Sequence, residues 1–364
     1  MIVAEKNRVL VAGGMGVVGR AAVQHFSSLP DWEVVALSRR KPDFTTNAKF
    51  APVDLRDAAA TETQIAALGP FTHVVYAALY EKPQLVKGWS EADQIETNRA
   101  MLANLVEAVE KCSPNFEHIT LMQGGKAYGV HHGVPRLMPA KESHGRFMPP
   151  NFYYNQEDWL IEHQKRARWS WTVLRPPAVC GTGIGSPMNL VVTIGVFCAI
   201  SRELGLPLRY PGGEPSIYEV CDARIVAKAI AWAATSPNAR NQIFNVANGD
   251  HFLWPYIWPL FAELFKMDSQ PPHMISLAHV MADKGPVWDQ TVKKHGLKPY
   301  KYEEMVPAWD MADFSFRYGR GPNPMLMSTI KIRQAGFHEC IDSEKMFVEH
   351  ITELQDRKIL PRYN

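Results

Sequence analysis

Three glycines, Gly13, Gly16 and Gly19, follow the apolar run Arg8–Ala12 and open the helical pattern Val17–Phe26. A glycine turn between a strand and a helix lets the backbone approach a pyrophosphate, whose charge then faces the helix N-terminus. A glycine triplet alone is a weak signal. Placed after a strand, before a helix and near the start of the chain, it points to a dinucleotide rather than to a plain tight turn. The end of the second strand says which dinucleotide. An acidic residue there would hold both ribose hydroxyls, but the chain has Ser38-Arg39-Arg40. Two guanidinium groups and a hydroxyl suit a 2′-phosphate through bidentate, charge-assisted hydrogen bonds, so the expected cofactor is NADP(H). Asp54-Leu55 closes the third strand, where the carboxylate could accept a hydrogen bond from the adenine amino group.

The reacting groups are less conventional. Ordinary short-chain dehydrogenases carry Tyr and Lys four residues apart on one helix. Here Tyr153 and Tyr154 are followed by Glu157 and Asp158 where that lysine would fall. Lys126 instead stands just after the fifth strand, in Met122-Gln-Gly-Gly-Lys-Ala-Tyr-Gly129. Those eight residues, with Asn151-Phe-Tyr-Tyr-Asn-Gln-Glu-Asp158, resemble the signature motifs of the progesterone 5β-reductase and iridoid synthase-like enone reductases. In that family the lysine moves onto the fifth-strand loop, and the glycine spacing G-x-x-G-x-x-G is typical of the extended class to which it belongs. The likeness continues through LRPPAVCG (174–181), SPMNLV (186–191), FNVANGD (244–250) and, more weakly, Ser328–Phe337.

The resemblance implies that Tyr153 is the catalytic tyrosine and Lys126 its partner, with Tyr154 as the alternative. It also implies cofactor contacts at Met15, Gly16, Val17, Arg39, Arg40, Asp54, Leu55, Ala78, Leu79, Met122, Tyr153, Val179, Ser186, Pro187 and Met188. The family commonly has Gln-Thr-Gly-Arg-Lys on the fifth-strand loop where this chain has Met122-Gln-Gly-Gly-Lys126, and bulky aromatics where this chain has Ala78-Leu79; both departures bear on substrate identity more than on chemistry. Conjugate reduction places negative charge on a carbonyl oxygen as an enolate forms, and a phenol with a nearby ammonium stabilises that oxyanion. A nearby cation also favours tyrosinate, so Lys126 is expected to draw the Tyr153 equilibrium downward.

The elements that must position these groups alternate. Strands are expected at Arg8–Ala12, Glu33–Ser38, Phe50–Asp54, His73–Ala77, His118–Met122 and Trp171–Arg175, with helical patterns at Val17–Phe26, Asp93–Val109 and Tyr154–Arg166. Continuous apolar strands separated by helices indicate a Rossmann-type, doubly wound parallel α/β sheet. The expected division is a NADP(H)-binding domain over 1–185, its sheet completed within 217–250, and a smaller, mainly helical substrate lobe from 186–216 and 251–364. Within these, a helix is expected over Met188–Leu204, a strand near Ile217–Val220, a helix over Ala223–Ala234 capped by Asp222, and a strand at Gln242–Val246.

Composition sets outer limits. A net charge of +2 gives no general reason to expect nucleic acid or an acidic membrane as partner. Five scattered cysteines without a CxxC pair suggest neither a disulfide framework nor a zinc site, and fit a reducing cytoplasm. The longest apolar stretch, Met188–Ile200, is too short to span a bilayer. His131-His132 has no third ligand at a sensible spacing and reads as a polar loop. Phe314, Phe316, Tyr318, Met325 and Met327 could be core or pocket wall. The expected partner is a small molecule, with a homodimer left open. The first functional expectation is an NADPH-dependent ene-reductase acting on small enones or enals. A carbonyl or imine reductase is second. A sugar-nucleotide epimerase or dehydratase would need the helix-borne Tyr–Lys pair, and a catalytically silent NADP(H) sensor would have no use for Lys126 beside Tyr153.

Overall fold

A computed structural model describes residues 6–82, 85–132 and 137–364, without the side chains of Val86 and Lys87. The chain forms two compact units. The first takes 1–176, 224–246 and 328–339; the second takes 177–223, 247–327 and 340–364.

The first unit is built on seven parallel strands. They include β1 (Asn7–Ala12), β2 (Trp32–Leu37), β3 (Lys49–Ala51), β4 (His73–Tyr76), β5 (His118–Met122) and β6 (Ser170–Arg175). The seventh, Gln242–Asn245, pairs with β6, and β1 lies between β4 and β2. The helices are α1 (Val17–Ser27), α2 (Ala58–Leu68), the short α3 (Leu85–Gly88), α4 (Ala92–Cys112) and α5 (Phe152–Gln164). Central strands such as Val9-Leu10-Val11-Ala12 are wholly buried, as a sheet covered on both faces requires. Chain direction reverses its winding between β1 and β4, so the loops leaving these two strands part to leave a crevice at their carboxyl ends. The third strand is shorter than its sequence suggests, ending at Ala51 and leaving Asp54 in the following loop.

The glycine turn shows why two of its members tolerate no side chain. Gly13 has φ +82°, and a Cβ there would come 2.6 Å from the Ala77 carbonyl oxygen. A Cβ on Gly19 would collide with the Gly13 carbonyl, so this glycine lets α1 lie against the turn it caps. A Cβ on Gly16 would find only the Gly13 carbonyl oxygen, at 3.4 Å.

In the second unit the helix α6 (Leu190–Glu203) is almost entirely buried. Asn189 caps it, accepting from the Val191 N–H at 3.2 Å, and its amide donates to the Gly181 and Gly183 carbonyls at 2.7 and 2.8 Å. Around α6 packs an aromatic core that includes Tyr210, Trp254, Trp258, Phe261, Phe316 and Phe347. Phe316 and Met327 are buried, whereas Tyr318 is exposed, so this stretch supplies core at two of its five apolar positions and surface at another. The stretch expected as one strand near Ile217–Val220 divides into Ile217–Tyr218 and Val220–Asp222. Neither joins the large sheet, and the second pairs with Ala178–Cys180, a strand with no clear sequence signal. Asp222 is buried at the end of that strand, directly before the helix Ala223–Thr235, with its carboxylate 3.2 Å from His350 Nε2. Among the described residues no helix is long and apolar enough to cross a membrane.

Replacing Gly19 with alanine drives a methyl group into backbone, not into a side chain that could move aside. Gly19→Ala is expected to lose about 2 kcal/mol or more of stability, read as a lower urea midpoint, and to weaken dinucleotide binding in a fluorescence titration. Wild-type values for both would show that α1 does not need this close approach.

Candidate active site

Apart from Tyr153, which lies on α5, the cofactor positions expected in the first unit lie at the carboxyl ends of strands or in the turns and helix starts that follow them. The N-terminus of α1 has no side-chain cap and no acidic residue in its first turn, which leaves its amides available to a phosphate. Arg20, buried one position after the last glycine, pairs with Asp43 and lies over the Phe44 ring at 4.3 Å, fixing the loop that follows β2. Arg39 and Arg40 are exposed on that loop, and Arg40 also donates to the Met15 carbonyl at 2.8 Å, joining it to the glycine turn. Ser38 Oγ accepts from the Arg40 N–H at 3.0 Å. Asp54 is held by Arg56 through two side-chain bonds of 2.9 and 2.6 Å, which lower its pKa to about 2. Leu55 turns its side chain into the core, and its carbonyl accepts from Asn104 at 2.8 Å. Only its N–H is left for a cofactor. Met15 and Val17 are buried, Ala78 and Met122 partly so, and Leu79 is exposed beyond β4. An uncapped helix end, a glycine turn and two exposed arginines could hold a dinucleotide.

Val179 and Ser186–Met188 belong to the second unit. Val179 is the middle residue of the strand Ala178–Cys180, and Ser186-Pro187-Met188 forms the turn leading into Asn189 and α6.

The motif Asn151–Asp158 is a set of fasteners around one free group. Asn151 caps α5 by accepting from the Tyr153 N–H at 3.0 Å, and its amide donates to the Lys126 carbonyl at 2.8 Å. The Tyr154 hydroxyl donates to the Ala127 carbonyl at 2.9 Å and accepts from the Phe147 N–H at 3.1 Å. It is fully occupied in fixing loops. The Tyr153 hydroxyl makes no hydrogen bond among the described residues, which separates the two tyrosines. It lies 3.5 Å from where a Cβ on Gly124 would stand, so the glycine two before Lys126, which matches the family's own glycine, leaves space beside the phenol.

Glu157 occupies the position four after Tyr153. It is buried between two guanidinium groups, Arg175 at 2.6 Å on one oxygen and Arg146 at 2.6 Å on the other, and Arg146 also binds Asp158. Arg175 further donates to Gln123 Oε1 at 2.9 Å, and the Gln123 amide donates to the Tyr153 carbonyl at 2.9 Å. A lysine at 157 would place a third cation here. The sequence therefore inverts the charge on the helix and supplies the ammonium from the β5 loop.

That ammonium, Lys126 Nζ, is buried with no hydrogen-bond partner among the described residues. Aromatic rings surround it instead, with centroids at 3.9 Å for Trp89, 5.3 Å for Phe152 and 5.6 Å for Tyr153. Burial lowers its pKa to about 8, against an opposing pull from Glu81. The expected downward shift of Tyr153 does not occur. Burial and then Glu81 raise that phenol above its ordinary value, and the cation opposing them is Arg175 rather than Lys126. Tyr153 is thus a neutral donor. The structure adds Glu81, Trp89, Gly124 and Arg175 to the residues that shape this site. The first two come from a segment without a sequence motif, and Arg175 could have been suspected as a charge ending an otherwise apolar strand. The His131 and His132 rings lie with centroids 3.9 Å apart at a tilt of 39°, and His131 packs edge-on against Trp89 at 5.8 Å.

Fold and site together define a nicotinamide-dependent oxidoreductase of the extended short-chain dehydrogenase/reductase class. A family model described as the NAD dependent epimerase/dehydratase family matches residues 9–247. The (S)-8-oxocitronellyl enol synthase of Antirrhinum majus is 31% identical, covering 97% of this chain and 92% of its own length. One from Nepeta cataria is 33% identical over 97% of this chain and 92% of its own. The UDP-glucose 4-epimerase of Thermotoga maritima is similar in fold, with a TM-score of 0.68 at 18% identity over 96% of this chain and 99% of that one. The chain belongs to the NAD dependent epimerase/dehydratase family, within its progesterone 5β-reductase and iridoid synthase-like branch.

Two substitutions separate fastening from chemistry. Glu157→Gln leaves two buried guanidinium groups without their anion and is expected to cost about 3–5 kcal/mol in urea unfolding. Tyr154→Phe is expected to cost about 1–2 kcal/mol while retaining most turnover. Loss of activity in a fully stable Tyr154→Phe would exchange the roles assigned to the two tyrosines.

Proposed function

We propose that the protein reduces the activated C=C bond of a small enone or enal with NADPH. The observation that carries this reading is the pairing of an unsatisfied buried ammonium, Lys126, with a neutral phenol, Tyr153, on a site whose helix position 157 is acidic. The names of the relatives support it. An enol synthase makes an enol, which is the protonated form of the enolate that conjugate reduction generates.

The bound nicotinamide would supply the hydride. The glycine turn and the N-terminus of α1 would hold the pyrophosphate, and Arg39 and Arg40 the 2′-phosphate. The chain's own part lies at the carbonyl oxygen, where charge accumulates as the β-carbon is reduced. Tyr153 donates a hydrogen bond to that oxygen, and the Lys126 ammonium stabilises the same charge from a dry, aromatic setting where water cannot screen it. Tyr153 need not ionise, because the enolate can take its proton later from water. A phenol raised above its ordinary pKa suits that role better than it suits a proton relay.

The position of the label decides the reaction. With 4-deuterated NADPH and an enal, deuterium is expected on the β-carbon with the carbonyl retained. An allylic alcohol bearing deuterium on the carbinol carbon would overturn the proposal in favour of carbonyl reduction. Tyr153→Phe is expected to lower turnover about 100- to 1,000-fold, and Lys126→Met to lower it with NADPH affinity nearly intact. Cofactor choice is tested separately. Each charge-assisted bond lost from Arg39 or Arg40 is expected to cost NADPH about 1.5–3 kcal/mol, with NADH affinity barely changed. Equal wild-type affinity for the two cofactors would remove the 2′-phosphate clamp.

A further inference from the structure

We propose that Glu81 and Trp89 are positioning residues for Lys126, acting as one unit in which the indole carries the ammonium on its face and orients the carboxylate that keeps it charged. This rests on the reductase reading only for what Lys126 does in turnover, not for how it is held.

The geometry is specific. The Trp89 ring centroid is 3.9 Å from Lys126 Nζ, and the same indole donates its Nε1–H to Glu81 Oε1 at 3.2 Å. The Trp89 ring therefore touches both partners, stabilising the cation by its π face and the anion by its edge. The segment bearing Glu81 is fastened from α4. Asn98, fully buried, accepts from the Tyr80 N–H and donates to the Tyr80 carbonyl, both at 2.9 Å. Gln94, equally buried, accepts from the Lys82 N–H at 3.0 Å. Gln156 on α5 donates to the Asn98 carbonyl at 3.0 Å, so the helix that carries Tyr153 also braces this support. Glu81 is preorganised from both sides of its own position.

The charges facing Lys126 can be named element by element. Glu81 and Trp89 approach from the segment between β4 and α4, and Phe152 and Tyr153 from α5. His131, on the turn after Lys126, has its pKa lowered to about 3 by burial and is uncharged at working pH, with His132 beyond it. Among the described residues, Glu81 is therefore the anion acting on the ammonium. Burial pushes the Glu81 carboxyl up, while Lys126 and the indole N–H hold it down. The sign follows. Lys126 is an ammonium below about pH 8 and loses its charge as pH rises through that value. Removing the anion makes the ammonium harder to keep and moves that loss to lower pH.

Competitive acetylation of the whole enzyme over a pH series, read by mass spectrometry of the Lys126 peptide, follows this titration whether or not the enzyme turns over. Glu81→Gln is expected to lower the Lys126 midpoint by about one pH unit. Trp89→Phe keeps an aromatic face but loses the N–H, and is expected to shift it in the same direction by less. The double variant should match Glu81→Gln closely, because the indole N–H acts through the carboxylate. The alkaline limb of enal turnover should move with the midpoint, while NADPH affinity stays unchanged. Midpoints equal to wild type in both single variants would overturn the inference. Fully additive shifts in the double variant would overturn the claim that the two act as a unit. A midpoint that moves in an enzyme shown to reduce carbonyls would uphold this inference and remove the enal reading instead.

Discussion

The site depends on a buried ion pair. Arg175 and Glu157, each only 5% exposed, meet at 2.6 Å between the end of β6 and the second turn of α5. Removing two charges from water is costly, and such a pair persists only where further hydrogen bonds complete it. Here Arg146 takes the second carboxylate oxygen and Gln123 the guanidinium Nε–H. Through Gln123 the pair also reaches the Tyr153 backbone. One interaction thus fixes the distance between the strand that ends in Arg175, the β5 loop that carries Lys126 and the helix that carries Tyr153.

The same pair explains why the site's ammonium is displaced from the helix. A helix lysine four residues after the tyrosine and a carboxylate already clasped by two arginines exclude each other. With the carboxylate present, an ammonium has to enter from another element, and the β5 loop is the neighbour in reach. Its surroundings then differ from those of a hydrogen-bonded lysine. Aromatic faces stabilise positive charge without accepting a proton or competing for the N–H donors, so the donors of Lys126 remain available.

Most of the sheet was legible in the sequence, because buried parallel strands such as His118–Met122 are continuous apolar runs bounded by helices. The glycine turn was legible because backbone contact dictates its residue types. The short pairing of Ala178–Cys180 with Val220–Asp222 was not, since three-residue strands have no period to detect. In the site, motif resemblance pointed to Tyr153 and Lys126, which the structure brings together. It could not say which tyrosine was free, because that depends on the Ala127 carbonyl and Phe147 N–H that occupy Tyr154. The sign of the Tyr153 shift was also beyond sequence. It is set by burial and by Glu81, a residue 72 positions away along the chain whose proximity only the fold creates. The expected single strand over 217–220 failed for a similar reason, as its two halves find different partners.

Asn245 gives the first unit a history as well as a shape. Its side chain receives the Tyr128 hydroxyl at 2.6 Å and donates to the Ala140 and Ser328 carbonyls at 3.0 and 3.2 Å. A growing polypeptide leaving the ribosome presents β6 as an open sheet edge until Gln242–Asn245 has emerged, and the Ser328 contact arrives later still. An open edge pairs readily with any passing strand. The stretch synthesised between 176 and 242 therefore sets how long this edge of the sheet stays unpaired during translation.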